Sequence, residues 1–232
     1  MSNNFLRKLF WKIGIDIHKY HSEPDRLSWL KDLNINTILD IGANVGQFAK
    51  EIRNSLLNVK LYSFEPIKSC HQKLNEEMMS DRNFKSFNFA LGETNSQTII
   101  NVSSYSPSSS LLKMADSHKN LFPHTKDSQS ESIEVRRLDD VWSKLDIRKN
   151  ILIKVDTQGY EDKVITGGIK SFSEAKIILI EASFVRLYEN QPLFDDIYEK
   201  IKSLGFTYHG ALHQKINKKT GEVIFEDAIF IK

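Results

Sequence analysis

Hydrophobic residues in the first half of the chain fall in short runs that are separated by longer mixed segments. The runs Thr37–Ile41, Lys60–Phe64 and 87–90 end in turn residues and are too short for helices, so they predict buried strands. The segments between them, 47–57 and 67–79, are predicted to be helices. This alternation implies right-handed crossovers and a parallel sheet, with ligands at the carboxyl ends of its strands.

The second half of the chain continues this pattern and then changes it. Residues 151–155 and 175–180 predict two further strands. Residues 206–208 and 223–231 predict a closing antiparallel pair. The sequence shows no internal repeat and no convincing boundary of a second domain. We therefore expect one α/β domain.

Helices of the second half carry clear start and stop signals. Asp139 is a plausible N-cap for a helix that runs to Leu145. A helix is predicted to begin at Glu161 and to end at the glycine pair 167–168. Residues 187–204 are predicted to be helical, with a break near a proline.

A polar segment, 103–130, interrupts the alternation. It is rich in serine and contains two prolines and two histidines. A polar stretch of this length inside a compact domain indicates a functional lid or a disordered loop. The serines at 108–110 are able to hydrogen-bond a substrate, and a solvated turn explains them equally well. Predicted strands at 98–102 and 133–138 flank the segment.

The N-terminal residues stand apart from this pattern. Apolar positions over 5–13 fall at helical spacing with basic residues between them, which predicts an amphipathic helix. Such a helix either packs on the domain or contacts a membrane surface or a partner enzyme. Leucines at 27, 30 and 33 predict a second short helix. We therefore assign residues 1–36 to an N-terminal helical extension and residues 37–232 to the domain.

Composition narrows the class of protein. The 232 residues carry a net charge of +2, which gives no indication of a nucleic-acid partner. Cys70 is the single cysteine, so a disulfide framework is excluded and a reducing compartment is permitted. No apolar stretch reaches the ~18 residues of a membrane span, and the first residues do not resemble a signal peptide. A cytoplasmic location is expected.

The turn after the first strand carries the strongest chemical signal. Gly42 and Gly46 permit backbone angles that a side chain would forbid, and the following helix offers free N–H groups. A strand, a glycine turn and a helix start together predict a nucleotide-type cofactor site. Asn44 stands where a dinucleotide fingerprint requires its second glycine, so close approach of a pyrophosphate is poorly served.

Two acidic residues indicate which cofactor this is. Asp40 lies directly before the turn, where it would repel a phosphate and attract an ammonium or sulfonium group. Glu65 ends the second strand, where a carboxylate is able to accept hydrogen bonds from both ribose hydroxyls. S-adenosylmethionine carries a cationic amino group, a sulfonium and a ribose. The sequence therefore predicts this cofactor.

A second acidic group is predicted at the ends of later strands. Asp156 follows a strand that contains Lys154, and Glu181 follows the next strand. Asp156 is the first candidate for a general base or for a residue that orients the substrate, and Glu181 is the second. His209 and His213 precede the closing strand and are further candidates for the same rim. A divalent metal between the two acids is an alternative that the incomplete ligand set does not favour.

Taken together, five motifs resemble the FkbM-type S-adenosylmethionine-dependent methyltransferases. They are LDIGANVG at 39–46, FEP at 64–66, NFALG at 88–92, VRRLDD at 135–140 and IKVDTQGYE at 153–161. The resemblance implies a Rossmann-like class I fold, a seven-stranded sheet with a reversed last strand, and helices on both faces. It also implies O-methylation of a hydroxyl, often on sugars, surface polysaccharides or secondary metabolites.

The resemblance also assigns roles to residues. Asp40, Gly42, Asn44 and Gly46 would hold the methionine part of the cofactor. Glu65 would hold the ribose, and the adenine would be lined by Pro66, Ala90 and Leu91.

Two alternatives remain open at the level of sequence. A nicotinamide-dependent oxidoreductase shares the strand–turn–helix, although Asn44 and Asp40 disfavour it. A non-catalytic binding module would keep the fold and recruit a partner through the N-terminal helix. Methylation of nucleic-acid bases is disfavoured, because residues 156–159 lack the required proline pair and no basic stripe is present.

Overall fold

The computed structural model describes residues 26–125 and 128–232. Its strands are β1 Thr37–Ile41, β2 Lys60–Phe64, β3 Phe84–Phe87, β4 Ala90–Leu91, β5 Ser96–Ser103, β6 Ser128–Arg136, β7 Ile151–Val155, β8 Ile177–Ser183, β9 Thr207–Ile216 and β10 Val223–Ile231. Its α-helices are α1 Gln47–Ser55, α2 Lys68–Met78, α3 Asp116–Leu121, α4 Leu138–Trp142, α5 Glu161–Gly167, α6 Ile169–Ser173 and α7 Phe194–Ser203. Short 3-10 turns lie at Ser28–Leu33, Ser106–Ser108 and Pro123–Thr125.

A seven-stranded sheet with the order β3-β2-β1-β7-β8-β10-β9 forms the centre of the domain. The pairs from β3 to β8 are parallel, and β10 runs antiparallel to both β8 and β9. The last strand of the chain is therefore the reversed one. This confirms the predicted α/β class, the sheet and its reversed strand.

Hydrophobic clusters cover both faces of the sheet. Side chains such as Leu39 and Ile153 face one cluster, which also contains residues of α4 to α7. Their neighbours Ile38 and Leu152 face the other cluster, together with residues of α1 and α2. Because strand side chains alternate between faces, Asp40 and Lys154 belong to this second face, and their backbones are paired in register. A carboxylate and an ammonium thus lie side by side on one face of the sheet.

The 3-10 turn Ser28–Leu33 packs on the same face. Leu27 and Leu30 are fully buried in the cluster of α1 and α2. This turn corresponds to the second short helix predicted before β1. The amphipathic helix predicted at 5–13 lies outside the described residues.

The third strand was placed wrongly from sequence. The prediction covered 87–90, but β3 ends at Phe87, and residues 90–91 form β4 in a separate sheet of order β4-β6-β5. β3 is an edge strand with half-buried and exposed side chains, so its first residues do not form an apolar run. Phe87 stacks on Phe64 of β2 at a ring-centroid distance of 5.1 Å, which fixes the end of the strand.

Other elements also differ from their predictions. Residues 187–193 are not helical, because the Gln191 side chain accepts hydrogen bonds from the backbone N–H groups of Leu187 (2.7 Å) and Tyr188 (3.1 Å) and holds a loop. Asp139 does not cap its own helix. It accepts hydrogen bonds from the backbone and hydroxyl of Ser171, which ties α4 to α6. β9 extends to Ile216, well beyond the predicted 206–208.

None of the helices that the structure describes is long and apolar enough to cross a membrane.

Candidate active site

A cavity of about 350 Å3 lies at the carboxyl ends of β1, β2, β7 and β8, where the parallel sheet predicts a ligand. The loops after these strands form its floor and walls. Residues of the serine-rich segment, including Tyr105, Ser106 and Ser110, form a further wall. The described part of segment 103–130 therefore contributes to the wall of the cavity.

The loop after β1 has a backbone that only glycine fits at its first position. Gly42 has a φ of +81°, and a Cβ there would lie 1.9 Å from the carbonyl oxygen of Asp156. Asn44 also has a positive φ, of 49°, and its Oδ1 accepts a hydrogen bond from the backbone of Val45 at 2.8 Å. Gly46 (φ +91°) precedes α1. The loop therefore packs closely against the end of β7, and its residues 42–44 line the cavity.

Glu65 supports this loop from β2. Its Oε2 accepts a hydrogen bond from the backbone of Asn44 at 2.8 Å, and its Oε1 accepts one from Ile67 at 2.8 Å. Burial raises the pKa of Glu65 to about 7, against the effect of these two hydrogen bonds. Each carboxylate oxygen keeps a second lone pair. Glu65 is therefore able to hold the loop and to accept ribose hydroxyls at once.

Asp40 occupies a deeper position than the sequence indicates. It is fully buried, and it is not among the residues that line the cavity. Its Oδ1 lies 3.5 Å from Lys154 Nζ and has no hydrogen-bond partner among the described residues. Burial raises the pKa of Asp40, and Lys154 opposes this rise. Asp40 thus supports the cavity from behind, through Lys154.

Lys154 connects two strands of the sheet. Its Nζ lies 3.3 Å from Asp156 Oδ2 as well as 3.5 Å from Asp40 Oδ1. Burial alone would lower the pKa of this lysine, but Asp156, Asp40 and Asp227 together raise it. The ammonium is therefore charged, and it faces the cavity between carboxylates.

Asp156 and Glu181 line the cavity at the ends of β7 and β8. Gln158 bridges them, because its Nε2 donates to Asp156 Oδ1 at 2.7 Å and to Glu181 Oε1 at 3.0 Å. The Asp156 side chain is 34% exposed, whereas Glu181 is buried. Burial, followed by the charges of Asp156 and Glu161, raises the pKa of Glu181 well above its ordinary value. Asp156 is thus the accessible carboxylate, and Glu181 favours its protonated form.

A third carboxylate, Asp227, joins this group from β10. It is paired in register with Glu181 and lines the same cavity. Burial and the charge of Asp156 raise its pKa. His213 Nδ1 lies 4.0 Å from its Oδ2. The sequence assigned Asp227 no role in the site, because it lies within an ordinary alternating strand.

Hydrogen bonds attach the serine-rich segment to the loop after β1 and to the loop after β7. The Ser106 hydroxyl donates to Asn44 Oδ1 at 3.0 Å, and the Ser110 hydroxyl donates to the backbone carbonyl of Gln158 at 2.6 Å. Ser109 Oγ accepts a hydrogen bond from the backbone of Ser103 at 3.0 Å. Of the predicted substrate-binding serines, two therefore have partners within the protein.

The predicted site residues fall into two sets. Those that line the cavity are Gly42, Asn44, Glu65, Pro66, Ala90, Leu91, Asp156 and Glu181. Those outside the lining are Asp40, Gly46 and His209. Asp40 and Gly46 support the lining from behind. β9 extends past the predicted 206–208 and includes His209. The His209 side chain is exposed there, so the structure does not bring it to the cavity.

The chemistry of the lining indicates which ligand the cavity is suited to bind. Within residues 26–125 and 128–232, no group of three or more His, Cys, Asp or Glu side chains is arranged to hold a metal ion. The backbone cradle at Gly42 and the carboxylates that line the cavity suit a ligand that carries a ribose and positive charge. S-adenosylmethionine has both features.

Comparison with known proteins agrees with this chemistry. The family model described as the methyltransferase FkbM domain matches residues 40–208, which is most of the chain. The 2-O-methyltransferase NoeI of Sinorhizobium fredii (strain NBRC 101917 / NGR234) is 28% identical over 160 residues. That match covers 66% of this chain and 66% of the relative, just under two thirds of its length.

Solved structures with a similar chain path are distant in sequence. The precorrin-6y C5,15-methyltransferase from Geobacter metallireducens is 11% identical with a TM-score of 0.46, over 92% of this chain and 87% of that chain. TehB from Haemophilus influenzae is 12% identical with a TM-score of 0.47, over 97% of this chain and 66% of that chain.

The family match bears on one of the alternatives that the sequence left open. An oxidoreductase that uses a nicotinamide cofactor is set aside, because the matched domain is described as a methyltransferase domain. The chain belongs to the FkbM methyltransferase family, and its methyl donor is S-adenosylmethionine.

Proposed function

We propose that this methyltransferase transfers the methyl group to a hydroxyl oxygen of a sugar or a glycosylated small molecule. The observation that carries the proposal is the position of Asp156. Its carboxylate is partly exposed to the cavity that contains the cofactor loop, and Lys154 and Gln158 fix both of its oxygens. A hydroxyl acceptor loses a proton as it is methylated, and a fixed carboxylate beside it is able to take that proton.

The cofactor would be held by the half of the cavity built from β1 and β2. Glu65 would accept the ribose hydroxyls, Gly42 and Asn44 would line the methionine part, and Ala90 and Leu91 would contact the adenine. S-adenosylmethionine supplies an activated methyl group on a positively charged sulfur. Asp40 would contribute its negative charge from below this half.

The half built from β7, β8 and β10 would hold the acceptor. Asp156 would orient the acceptor hydroxyl and take its proton, and Lys154 would hold one oxygen of this carboxylate in place. Glu181, whose pKa is raised by burial, would donate a hydrogen bond to a neighbouring acceptor oxygen. A group of carboxylates and one amide suits a ligand with several adjacent hydroxyls, which is the chemistry of a sugar.

The name of the NoeI relative supports transfer to oxygen, because that protein is a 2-O-methyltransferase. A half-exposed aromatic ring, Tyr105, lies at the same cavity and offers an apolar surface to the C–H face of a sugar ring. That the acceptor is a sugar is our proposal.

The proposal is tested with S-adenosylmethionine and a panel of methyl glycosides that differ in the position of free hydroxyls. Mass spectrometry of the products should show a gain of one methyl on one hydroxyl position. A matched panel of amines and free nucleobases, which have no sugar hydroxyl, should stay unmodified. Methylation of nitrogen acceptors with no methylation of any glycoside would contradict the proposal.

The location of the protein belongs to the same proposal. We expect it to act in the cytoplasm, with residues 1–36 as an extension and the helix predicted at 5–13 as a contact to a membrane surface or a partner enzyme. Sedimentation with anionic lipid vesicles tests the membrane contact. The full chain should sediment and a chain that begins at Arg26 should stay in solution, and equal behaviour of the two would contradict the membrane contact.

A further inference from the structure

The Gln158 side chain lies between the two candidate catalytic carboxylates. It donates to Asp156 at 2.7 Å and to Glu181 at 3.0 Å through the same nitrogen. A side-chain amide has two hydrogens on that nitrogen, so both are used. Asp156 Oδ2 lies 3.3 Å from Lys154 on its other side. The carboxylate of Asp156 is thus held from two directions, and each oxygen keeps a lone pair for an acceptor hydroxyl.

The orientation of the Gln158 amide is itself fixed. The Tyr188 hydroxyl, which is buried, lies 3.0 Å from Gln158 Oε1. A reversed amide would turn its oxygen toward two carboxylates and lose both hydrogen bonds to them. The backbone of Gln158 has a positive φ of 54°, and the Ser110 hydroxyl donates to its carbonyl at 2.6 Å. A residue that rarely adopts this backbone conformation is therefore held in it by contacts from outside its own loop.

These contacts come from distant parts of the chain. Ser110 belongs to the serine-rich segment, and the Tyr188 hydroxyl also lies 3.1 Å from the carbonyl oxygen of Ser108 in the same segment. The segment therefore reaches the carboxylates through Gln158, although its serines are bound within the protein.

We propose that Gln158 is the positioning residue for Asp156, and that the serine-rich segment acts on methyl transfer by fixing Gln158 rather than by contacting the acceptor alone. This inference rests on the proposed function of Asp156. Without the amide, the Asp156 carboxylate would turn freely about its side-chain bonds and hold the acceptor hydroxyl in the reactive position for a smaller fraction of the time.

The surroundings of Asp156 show what the amide connects. The groups that face Asp156 are Lys154 on its own strand, Asp40 on β1, Glu181 on β8, Asp227 on β10, Glu161 on α5 and the Tyr188 hydroxyl. Four of these six are carboxyl groups. Without the Gln158 amide, the hydrogen bonds that connect Asp156 to Glu181 would be lost. The loss of positioning should therefore appear in kcat and not in the dissociation constant of S-adenosylmethionine.

The test compares Gln158→Met, which keeps the length of the side chain but has no donor, with Tyr188→Phe, which removes the hydroxyl that orients the amide. Gln214→Met is the matched control, because Gln214 also donates to a carboxylate, Glu226 Oε2, at 2.7 Å but lies outside the cavity lining. With a methyl glycoside that the wild-type enzyme methylates, Gln158→Met should lower kcat by about 10- to 100-fold. Tyr188→Phe should act in the same direction and less strongly, and Gln214→Met should leave kcat unchanged.

A second readout needs no acceptor. In protein labelled with 13C at aspartate carboxyl carbons and saturated with S-adenosylmethionine, the Asp156 signal is assigned by its absence in Asp156→Asn. This signal should shift in Gln158→Met, which removes a hydrogen bond to the Asp156 carboxylate, and should stay in place in Gln214→Met. If no glycoside is methylated by the wild-type enzyme, the proposed function fails while this signal still tests the role of Gln158.

Two outcomes would overturn the inference. One is a Gln158→Met enzyme with unchanged kcat and an unchanged Asp156 signal. The other is a loss of activity that accompanies a lower melting temperature while the Asp156 signal stays in place, because Gln158 would then only maintain the fold.

Discussion

The two halves of the cavity are built in different ways. At the ends of β1 and β2, backbone groups and one carboxylate form the binding surface, and Gly42, Asn44 and Glu65 lie within two short motifs. At the ends of β7, β8 and β10, the surface consists of side chains that come from separate strands and loops. Asp156, Gln158 and Glu181 contact one another there, and the serine-rich segment holds them.

This difference indicates a division of tasks. A backbone cradle has little freedom to change its shape, which suits a cofactor that is the same in every turnover. A network of side chains changes with single substitutions, which suits an acceptor that differs among related enzymes. If the halves are separate in this sense, substitutions on one side should change kcat and those on the other should change cofactor affinity.

The strongest test of this separation is Asp156→Asn. Loss of a general base costs roughly 10²- to 10⁴-fold in rate, so kcat should fall by that amount. The dissociation constant of S-adenosylmethionine, measured by calorimetry, should stay within about twofold, because the β1–β2 half is untouched. Asp32→Asn, at an exposed position, serves as the control. An Asp156→Asn enzyme with full kcat would remove Asp156 from the proposed mechanism.

The cofactor half is tested most severely by Gly42→Ala. The new Cβ would meet the Asp156 carbonyl at 1.9 Å in a backbone with positive φ. Overpacking costs about 1–3 kcal/mol and the left-handed backbone about 1–2 kcal/mol more, so stability to urea should fall by a sum of these and cofactor binding should be lost. Gly221→Ala is the matched control, because Gly221 has a φ of +80° but no atom near its Cβ position. Equal effects of the two substitutions would show that the contact with Asp156 is unimportant.

Glu65→Gln should weaken cofactor binding by about 10- to 100-fold, since a hydrogen bond to a charged group contributes about 1.5–3 kcal/mol. The pKa of Glu65 is raised by burial to about 7. In the wild-type protein, affinity for S-adenosylmethionine should therefore increase as pH rises through 7. Glu65→Gln should remove this increase.

Glu161→Gln provides the control for that pH dependence. Burial also raises the pKa of Glu161 to about 7, but its carboxylate accepts hydrogen bonds from its own loop, at Thr157 and Gly159. The variant should keep the increase in affinity. Both acids have a folded-state pKa above the ordinary 4.5, so their contribution to stability is present below pH 4.5 and is lost as pH rises through about 7. An affinity that is flat in the wild-type protein would contradict the role of Glu65.

A smaller effect is expected at His118, which packs against the loop that carries Tyr188. The ring lies edge-on to Phe122 at 5.2 Å and to Tyr188 at 5.1 Å, and neither nitrogen has a hydrogen-bond partner among the described residues. Burial lowers its pKa to about 4, so its contribution to stability is present above pH 6.5 and is lost as pH falls toward 4. His118→Phe should be neutral or stabilising by about 1 kcal/mol at pH 7.

The advantage of His118→Phe in melting temperature should increase as the pH is lowered from 6.5 toward 4. His124→Phe is the comparison, because His124 is an exposed neighbour whose ring meets that of Tyr105. A difference in melting temperature that is constant with pH would contradict the assignment to His118.

The smallest effect is expected at His209. Its side chain is exposed on β9 and does not line the cavity. His209→Ala should therefore leave kcat and KM within about twofold of wild type, in contrast to Asp156→Asn. A large loss of kcat in this variant would indicate that the acceptor binds closer to β9 than we propose.

The sequence by itself determined the α/β class and the position of the glycine loop, and the resemblance of five motifs implied the methyltransferase family and the sheet with its reversed last strand. The residues within each of these motifs are close together in the chain. β1 and β2 matched their predicted ends because their hydrophobic runs are buried on both sides and end in turn residues. An edge strand such as β3 lacks this signal, since one side of it faces solvent and its residues are mixed.

Only the tertiary structure decided how the acceptor half is assembled. Asp40 meets Lys154 because parallel pairing sets the two in register, and Asp227 meets Glu181 through antiparallel pairing at the reversed strand. Gln158 is oriented by Tyr188 and by a serine some 48 positions earlier in the chain. No local pattern encodes such partners, because hydrogen bonds between distant residues depend on the register and on the path of the loops.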